Sequence, residues 1–150
     1  MPKLAIISRQ YHAYQLAFTA LKAQGKLQGL DLIWAQEHAD DAPLQDIEYV
    51  LGNPNIMSRY IDQCENLIWL QSTWAGVNTL TSKSKCDYQL TGLKDIFGEQ
   101  MREYVMAYVL YFQRSIPQLL ANQQQHQWQQ YKIPTLQGKT MGIMGLGSIG

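Results

Sequence analysis

Apolar residues fall along the chain in two alternating patterns. Short runs at 4–7, 30–35, 49–51, 67–70 and 88–91 have the length of strands. The first, Leu4-Ala-Ile-Ile7, is continuously apolar and reads as a buried parallel strand. Between the runs lie helical periods. Residues 11–23 put Leu16, Ala20 and Ala23 on one face beside Ala13 and Ala17, and Gly25 supplies a stop. A second helix is expected over 56–64. Asp40-Asp-Ala-Pro43 and Gly52-Asn-Pro54 punctuate the pattern as loops. Strands alternating with helices predict βαβ units and a mainly parallel sheet.

In such sheets function collects at the carboxyl ends of strands. That directs attention to Ser8-Arg9, Gly52-Asn53 and the loop Ser72-Thr-Trp-Ala-Gly76. A flavodoxin phosphate loop would need glycine after the first strand, where Ser8-Arg-Gln-Tyr-His12 has none. A phospho-acceptor receiver would need acids after strands one and three, and Ser8 and Gly52-Asn53 supply none.

The longest helix is expected over 98–114. Met101, Tyr104, Val105, Tyr108, Val109 and Phe112 follow the spacing of one face. Met106, Ala107, Leu110 and Tyr111 occupy the other side. A helix apolar nearly all round predicts burial on two sides, either inside a core or against a neighbouring domain or subunit. Ser115 with Pro117 opens a further helix, since proline is tolerated in a first turn. Residues 123–130 are glutamine-rich and read as a helix end and linker, with Trp128 expected to be docked.

The final stretch runs from an apolar segment, residues 140–144, expected as a strand, into Gly145-x-Gly147-x-x-Gly150. This spacing after a strand is a dinucleotide-binding fingerprint. Gly145 would allow the tight turn, Gly147 a close approach of backbone to pyrophosphate, and Gly150 the packing of the next helix. Phosphates would sit on that helix's N-terminus, where unpaired amides and the helix dipole favour negative charge. The helix and the ribose-reading residue about 20 positions later would follow Gly150. The chain therefore reads as the front part of a longer protein.

Composition narrows the function classes. Twelve basic and twelve acidic residues give zero formal net charge among 150 residues. No electrostatic footprint for nucleic acid or an anionic membrane surface exists. Cys64 and Cys86 have no metal-ligand spacing, and two free thiols point to a reducing compartment, most simply the cytoplasm. The apolar run near Met1 is too short for a signal peptide. The run at 104–112 is far short of the roughly 20 residues that span a bilayer.

Small residues in Ser72-Thr-Trp-Ala-Gly76 would expose successive backbone amides, a nest for a carboxylate or phosphate. An ordinary strand-to-helix turn, with Gly76 in an unusual dihedral, is the other reading. Glu99 and Glu103 lie one turn apart, but Arg102 and the helix N-terminus account for them. His12, His38 and His126 are scattered, and Ser8 and Ser72 lack a nucleophile-elbow context.

Three segments together resemble the D-isomer-specific 2-hydroxyacid dehydrogenases, and most closely a glyoxylate/hydroxypyruvate reductase-like branch. They are Trp69-Leu-Gln-Ser-Thr-Trp-Ala-Gly-Val-Asn78, Phe97-Gly-Glu-Gln-Met-Arg-Glu-Tyr104 and the terminal stretch from Leu136, with His126-Gln-Trp128 between them. The resemblance implies an α/β chain: a flavodoxin-like parallel-sheet substrate domain over 1–96, then crossover helices and the first strand of a Rossmann domain over 97–150, cut at Gly150. It implies NAD or NADP as cofactor and reduction of a small 2-ketoacid to the D-2-hydroxyacid. Trp74, Ala75 and Gly76 would bind substrate, the Ala75 and Gly76 amides holding its carboxylate. Met101, Gly145, Gly147 and Gly150 would bind cofactor. The family's catalytic Arg, Glu and His would all lie beyond Gly150, so no catalytic residue falls within 1–150, and no metal is implied. A homodimer is expected, with no nucleic-acid or membrane partner. A non-catalytic, nucleotide-sensing protein of corepressor type is the alternative on the same scaffold. Asn78 stands where many relatives have Asp, Trp74 where a smaller residue is usual, and Arg102 where Ala or Gln is common.

Overall fold

The computed structural model describes every residue except Ser148 and Gly150, so the third fingerprint glycine lies outside the described residues. The chain divides into two compact units, Met1–Leu93 and Lys94–Gly150.

The first unit contains β1 (Lys3–Ile7), α1 (Tyr11–Ala23), β2 (Asp31–Gln36), β3 (Tyr49–Gly52), α2 (Pro54–Met57), β4 (Trp69–Ser72), α3 (Asn78–Thr81) and β5 (Gln89–Thr91). The strands form one parallel sheet in the order β2-β1-β3-β4-β5. That is the flavodoxin-like doubly wound order, whose switch point lies between β1 and β3. All five expected strands are present, displaced by a residue or two at their ends.

Alternation along each strand decides the core. Ala5, Ile7, Val50 and Leu70 point to the side covered by α2, α3 and the turns around them. Met57, Ile61, Cys64, Leu67 and Leu80 close over them, all nearly or fully buried. Burial pushes the Cys64 thiol from its ordinary 9.0 up to about 11, so it stays a neutral packing group, whereas Cys86 is exposed.

Helix α1 has the expected span but not the expected buried side. Phe18 is its one buried residue, flanked by half-buried Tyr14 and Lys22, while Leu16 is 72% exposed. An apolar count weighs three alanines like three large residues, but aromatic rings bury far more area. The Lys22 ammonium sits over the Phe18 ring, 5.7 Å from its centroid, and donates from Nζ to the Leu30 carbonyl at 3.3 Å. The helix expected over 56–64 breaks after Met57 and resumes as a 3-10 turn at Ile61–Gln63. Amides of Arg59, Tyr60 and Gln63 bond three residues back, which tightens the chain. The Tyr60 hydroxyl is held at 2.7 Å by the Asp40 carboxylate. Short α3 has no apolar period long enough to be read in advance.

The second unit contains α4 (Gly98–Gln113) and α5 (Ile116–Gln124), separated by Ser115 at φ 52°. No residue of α4 is buried. Its rings instead stack along its own surface, Tyr104 on Tyr108 at 4.7 Å and Tyr111 on Phe112 at 5.3 Å between centroids. Two-sided burial is therefore not achieved within this unit, because nine residues of α5 cannot cover a helix apolar all round. Trp128, expected to be docked, is 90% exposed. No strand forms over 140–144 among the described residues. A parallel strand has no hydrogen bonds of its own, and this unit offers it no neighbouring strand to pair with. Among the described residues no helix is long and apolar enough to cross a membrane.

Candidate functional site

The carboxyl ends of the central strands carry a row of buried polar residues, Ser8, Asn53, Ser72 and Thr73. Most of their bonding is internal. The Ser8 hydroxyl donates to the Gln10 side chain at 3.1 Å. Asn53 donates its amide to the Ile7 carbonyl at 2.8 Å, and its side-chain oxygen accepts from the amides of Asn55 and Ile56, capping α2. These two strand ends are closed by their own chain.

The end of β4 is different. Ser72, fully buried, follows Leu70 by two positions and so shares its inward face. Its hydroxyl accepts from the Trp74 amide at 3.0 Å and donates to the Trp74 carbonyl at 2.8 Å. The same carbonyl accepts from the Leu93 amide at 3.3 Å, and the Thr73 amide donates to the Gly52 carbonyl at 2.9 Å. A Cβ on Gly92 would stand 3.2 Å from the Ala75 carbonyl, so a side chain there would crowd the loop. The loop is thus pinned on both flanks. Among the described residues, neither the Ala75 nor the Gly76 amide donates to any group. Both residues, and Trp74, are exposed. The loop therefore presents two adjacent unpaired N–H donors, an arrangement suited to a carboxylate or phosphate oxygen.

Gly76 is not in the left-handed region, and a Cβ built on it meets nothing within 4 Å. An unusual dihedral at this position is therefore excluded as the reason for glycine. Thr73 Oγ1 is buried without a hydrogen-bond partner.

Of the other sequence-predicted site residues, Met101 lies half-buried in α4 of the second unit. Gly145 adopts φ 95°, a conformation that favours glycine, and a Cβ at Gly147 would meet nothing within 4 Å. The structure brings Trp74, Ala75 and Gly76 together in one loop. A groove of about 1060 Å³ between α5 and residues 126–133 contains none of the sequence-predicted residues. His12 stacks on Tyr11 at 4.0 Å between ring centroids, and His38 lies 3.7 Å from the Glu37 carboxylate. Among the described residues no group of three or more His, Cys, Asp or Glu side chains is placed to hold a metal. Sequence reasoning passed over Ser72 and Gly92 as the residues that shape the loop. A serine two residues before the bonded amide is the available signal, since serine hydroxyls bond backbone two positions on.

Residues 106–150 match the family model for the D-isomer specific 2-hydroxyacid dehydrogenase, NAD binding domain. A solved structure of a D-isomer specific 2-hydroxyacid dehydrogenase family protein from Aeromonas salmonicida subsp. salmonicida A449 is 30% identical over 99% of this chain, with a TM-score of 0.84. The chain thus resembles the D-isomer specific 2-hydroxyacid dehydrogenase family, in sequence over residues 106–150 and in fold. It covers 47% of the Aeromonas protein. Two further family structures share the fold. One, from Xanthobacter autotrophicus Py2 in complex with NADPH and MES, is 23% identical with a TM-score of 0.73, over 99% of this chain and 47% of its own. The other, from Klebsiella pneumoniae 342, is 22% identical with a TM-score of 0.60, over 99% of this chain and 46% of its own. The chain thus spans about half the length of each family structure it matches. No curated protein matches the sequence.

Proposed function

We propose that this chain forms the substrate-binding part and the start of the cofactor-binding part of an NAD(P)H-dependent enzyme. The enzyme reduces a small 2-ketoacid, of glyoxylate or hydroxypyruvate type, to the D-2-hydroxyacid. The observation that carries this reading is the pair of unpaired amides at Ala75 and Gly76, held open at the carboxyl end of β4. They anchor the substrate carboxylate and so fix the direction in which the ketone carbon points. Trp74 forms one wall beside them. In this reading 1–96 is the substrate domain and 97–150 leads into the dinucleotide domain.

The residues of the fingerprint suit a dinucleotide. Gly145 has the positive φ that a tight turn demands, and the open space at Gly147 lets backbone approach a pyrophosphate. Gly145, Gly147 and Gly150 would hold the pyrophosphate, with Met101 on the nicotinamide side. The bound nicotinamide supplies the hydride equivalent that reduces the ketone. The chain's own contribution is to orient the substrate through the loop. The assembled enzyme works in the cytoplasm, without nucleic-acid or membrane partners.

The test is to add glyoxylate or hydroxypyruvate to the full-length protein with NADH or NADPH and follow nicotinamide absorbance. Oxidation of either cofactor is expected. Saturable cofactor binding with no turnover of any small 2-ketoacid would overturn the enzyme reading in favour of a nucleotide-sensing protein.

A homodimer follows from α4. Tyr104, Tyr108 and Phe112 are 56%, 47% and 65% exposed, a patch that a symmetric partner would cover. The full-length protein is expected to sediment as a dimer at micromolar concentration, and a monomer would contradict this.

A further inference from the structure

The substrate loop is braced from the other face of the sheet. Trp69 and Gln71 alternate with Leu70 and Ser72 along β4, so they lie on the face opposite those buried side chains. Thr91 of β5 is the register partner of Gln71. The three side chains form one chain of hydrogen bonds. The Trp69 indole Nε1 donates to Thr91 Oγ1 at 2.8 Å, Thr91 Oγ1 donates to Gln71 Oε1 at 2.6 Å, and Gln71 Nε2 donates to the Ser72 carbonyl at 2.9 Å. The two ends fix the direction of every bond, because an indole N–H only donates and a backbone carbonyl only accepts. The Thr91 hydroxyl accepts from Trp69 and has its one hydrogen left for Gln71. The Gln71 amide then satisfies both neighbours in a single orientation. Bonds running head to tail in this way polarise one another.

What the chain holds is the first peptide of the loop. Gln71 takes the Ser72 carbonyl, and the Thr73 amide, at the other side of the same planar unit, donates to the Gly52 carbonyl at 2.9 Å. That plane contains the Ser72 Cα, so it anchors the Ser72 hydroxyl. The hydroxyl in turn holds the Trp74 carbonyl at 2.8 Å, and that carbonyl also accepts from the Leu93 amide. In a trans peptide the carbonyl and the following N–H point in opposite directions. A Trp74 carbonyl held by Ser72 and Leu93 therefore turns the Ala75 N–H away from them, where it meets no acceptor among the described residues.

Resting on the ketoacid reading above, we infer that Gln71 and Thr91 are positioning residues for the substrate carboxylate. Acting through the Ser72 peptide, they hold the Ala75 amide in the direction from which it meets that group. Neither touches the substrate. The competing role is a staple that only ties β5, three residues long at one end of the sheet, to β4. A staple would move stability, whereas a positioning chain moves substrate binding.

The experiment measures glyoxylate and hydroxypyruvate kinetics and thermal melts of the full-length enzyme as wild type, Thr91→Val, Thr91→Ser, Gln71→Met and the Thr91→Val/Gln71→Met double variant. Thr91→Val keeps the shape and the β-branch and removes the hydroxyl. It should raise the ketoacid KM roughly threefold to tenfold, the range of one lost hydrogen bond. The kcat, the KM for NADH or NADPH and the unfolding midpoint should change little. Thr91→Ser should restore the KM. Gln71→Met should match Thr91→Val, and the double variant should be no worse than Gln71→Met alone, because Thr91 acts through Gln71. A wild-type ketoacid KM in Thr91→Val would overturn the inference and leave the ketoacid reading standing. So would multiplied KM effects in the double variant, or a fall in the midpoint with both substrate and cofactor KM raised and no recovery in Thr91→Ser. Wild type reducing neither ketoacid would instead sink the functional reading and this inference with it.

Discussion

Gly76→Val should raise the KM of the full-length enzyme for its 2-ketoacid roughly tenfold or more, with the fold unaffected. A hydrogen bond to a charged group contributes about 1.5–3 kcal/mol, and each 1.4 kcal/mol is a factor of about ten. The carboxylate draws on two amides, and a β-branched side chain at Gly76 stands between it and the backbone. Stability should not change, because a Cβ at this position meets nothing within 4 Å and the backbone is outside the left-handed region. Those two facts make the variant a clean probe of binding. Steady-state kinetics beside a thermal melt checks it. A wild-type KM in a normally folded variant would remove the loop from the substrate site.

Leu70→Ala should destabilise the protein by about 2–5 kcal/mol, the usual range for deleting a buried leucine side chain. Leu70 is fully buried and sits on β4 opposite Val50 of β3 and Leu90 of β5. Its loss leaves a cavity beneath the strand that carries the substrate loop. Leu16→Ala on α1 is the control. Leu16 is 72% exposed, so its truncation should fall within about 0.5 kcal/mol. Urea denaturation of the two variants measures the contrast. Equal losses would mean that α1 buries the face read from its apolar spacing rather than the one carrying Phe18.

That contrast shows how far the sequence can be read. A continuous apolar run such as Leu4-Ala-Ile-Ile7, too short for a helix and rich in β-branched residues, reads as a buried strand. Alternation of such runs with helical periods is sufficient for a parallel α/β sheet, and all five strands lie within a residue or two of where the runs put them. The carboxyl-end rule directs attention to three strand ends, and the family resemblance narrows them to Trp74, Ala75 and Gly76 before any coordinate is known. Helix α4 is equally legible in its span, since its apolar spacing is local.

What the tertiary structure decided is everything that depends on area, pairing or a distant partner. Which side of α1 faces inward turned on the size of Phe18 against several alanines, a quantity that spacing does not contain. The helix after β3 broke where packing of Met57, Tyr60 and Ile61 and the Asp40 bond favoured a tighter turn. Whether residues 140–144 make a strand depends on a neighbouring strand, which the described part of their unit does not supply. The openness of the Ala75 and Gly76 amides came from the Ser72 hydroxyl, Leu93 and Gly92 holding the loop from both flanks. By itself the sequence determined the class of fold, the order of its elements and the loop to examine. The pinned geometry of that loop is set by hydrogen bonds between residues up to about 20 positions apart, which no local pattern records.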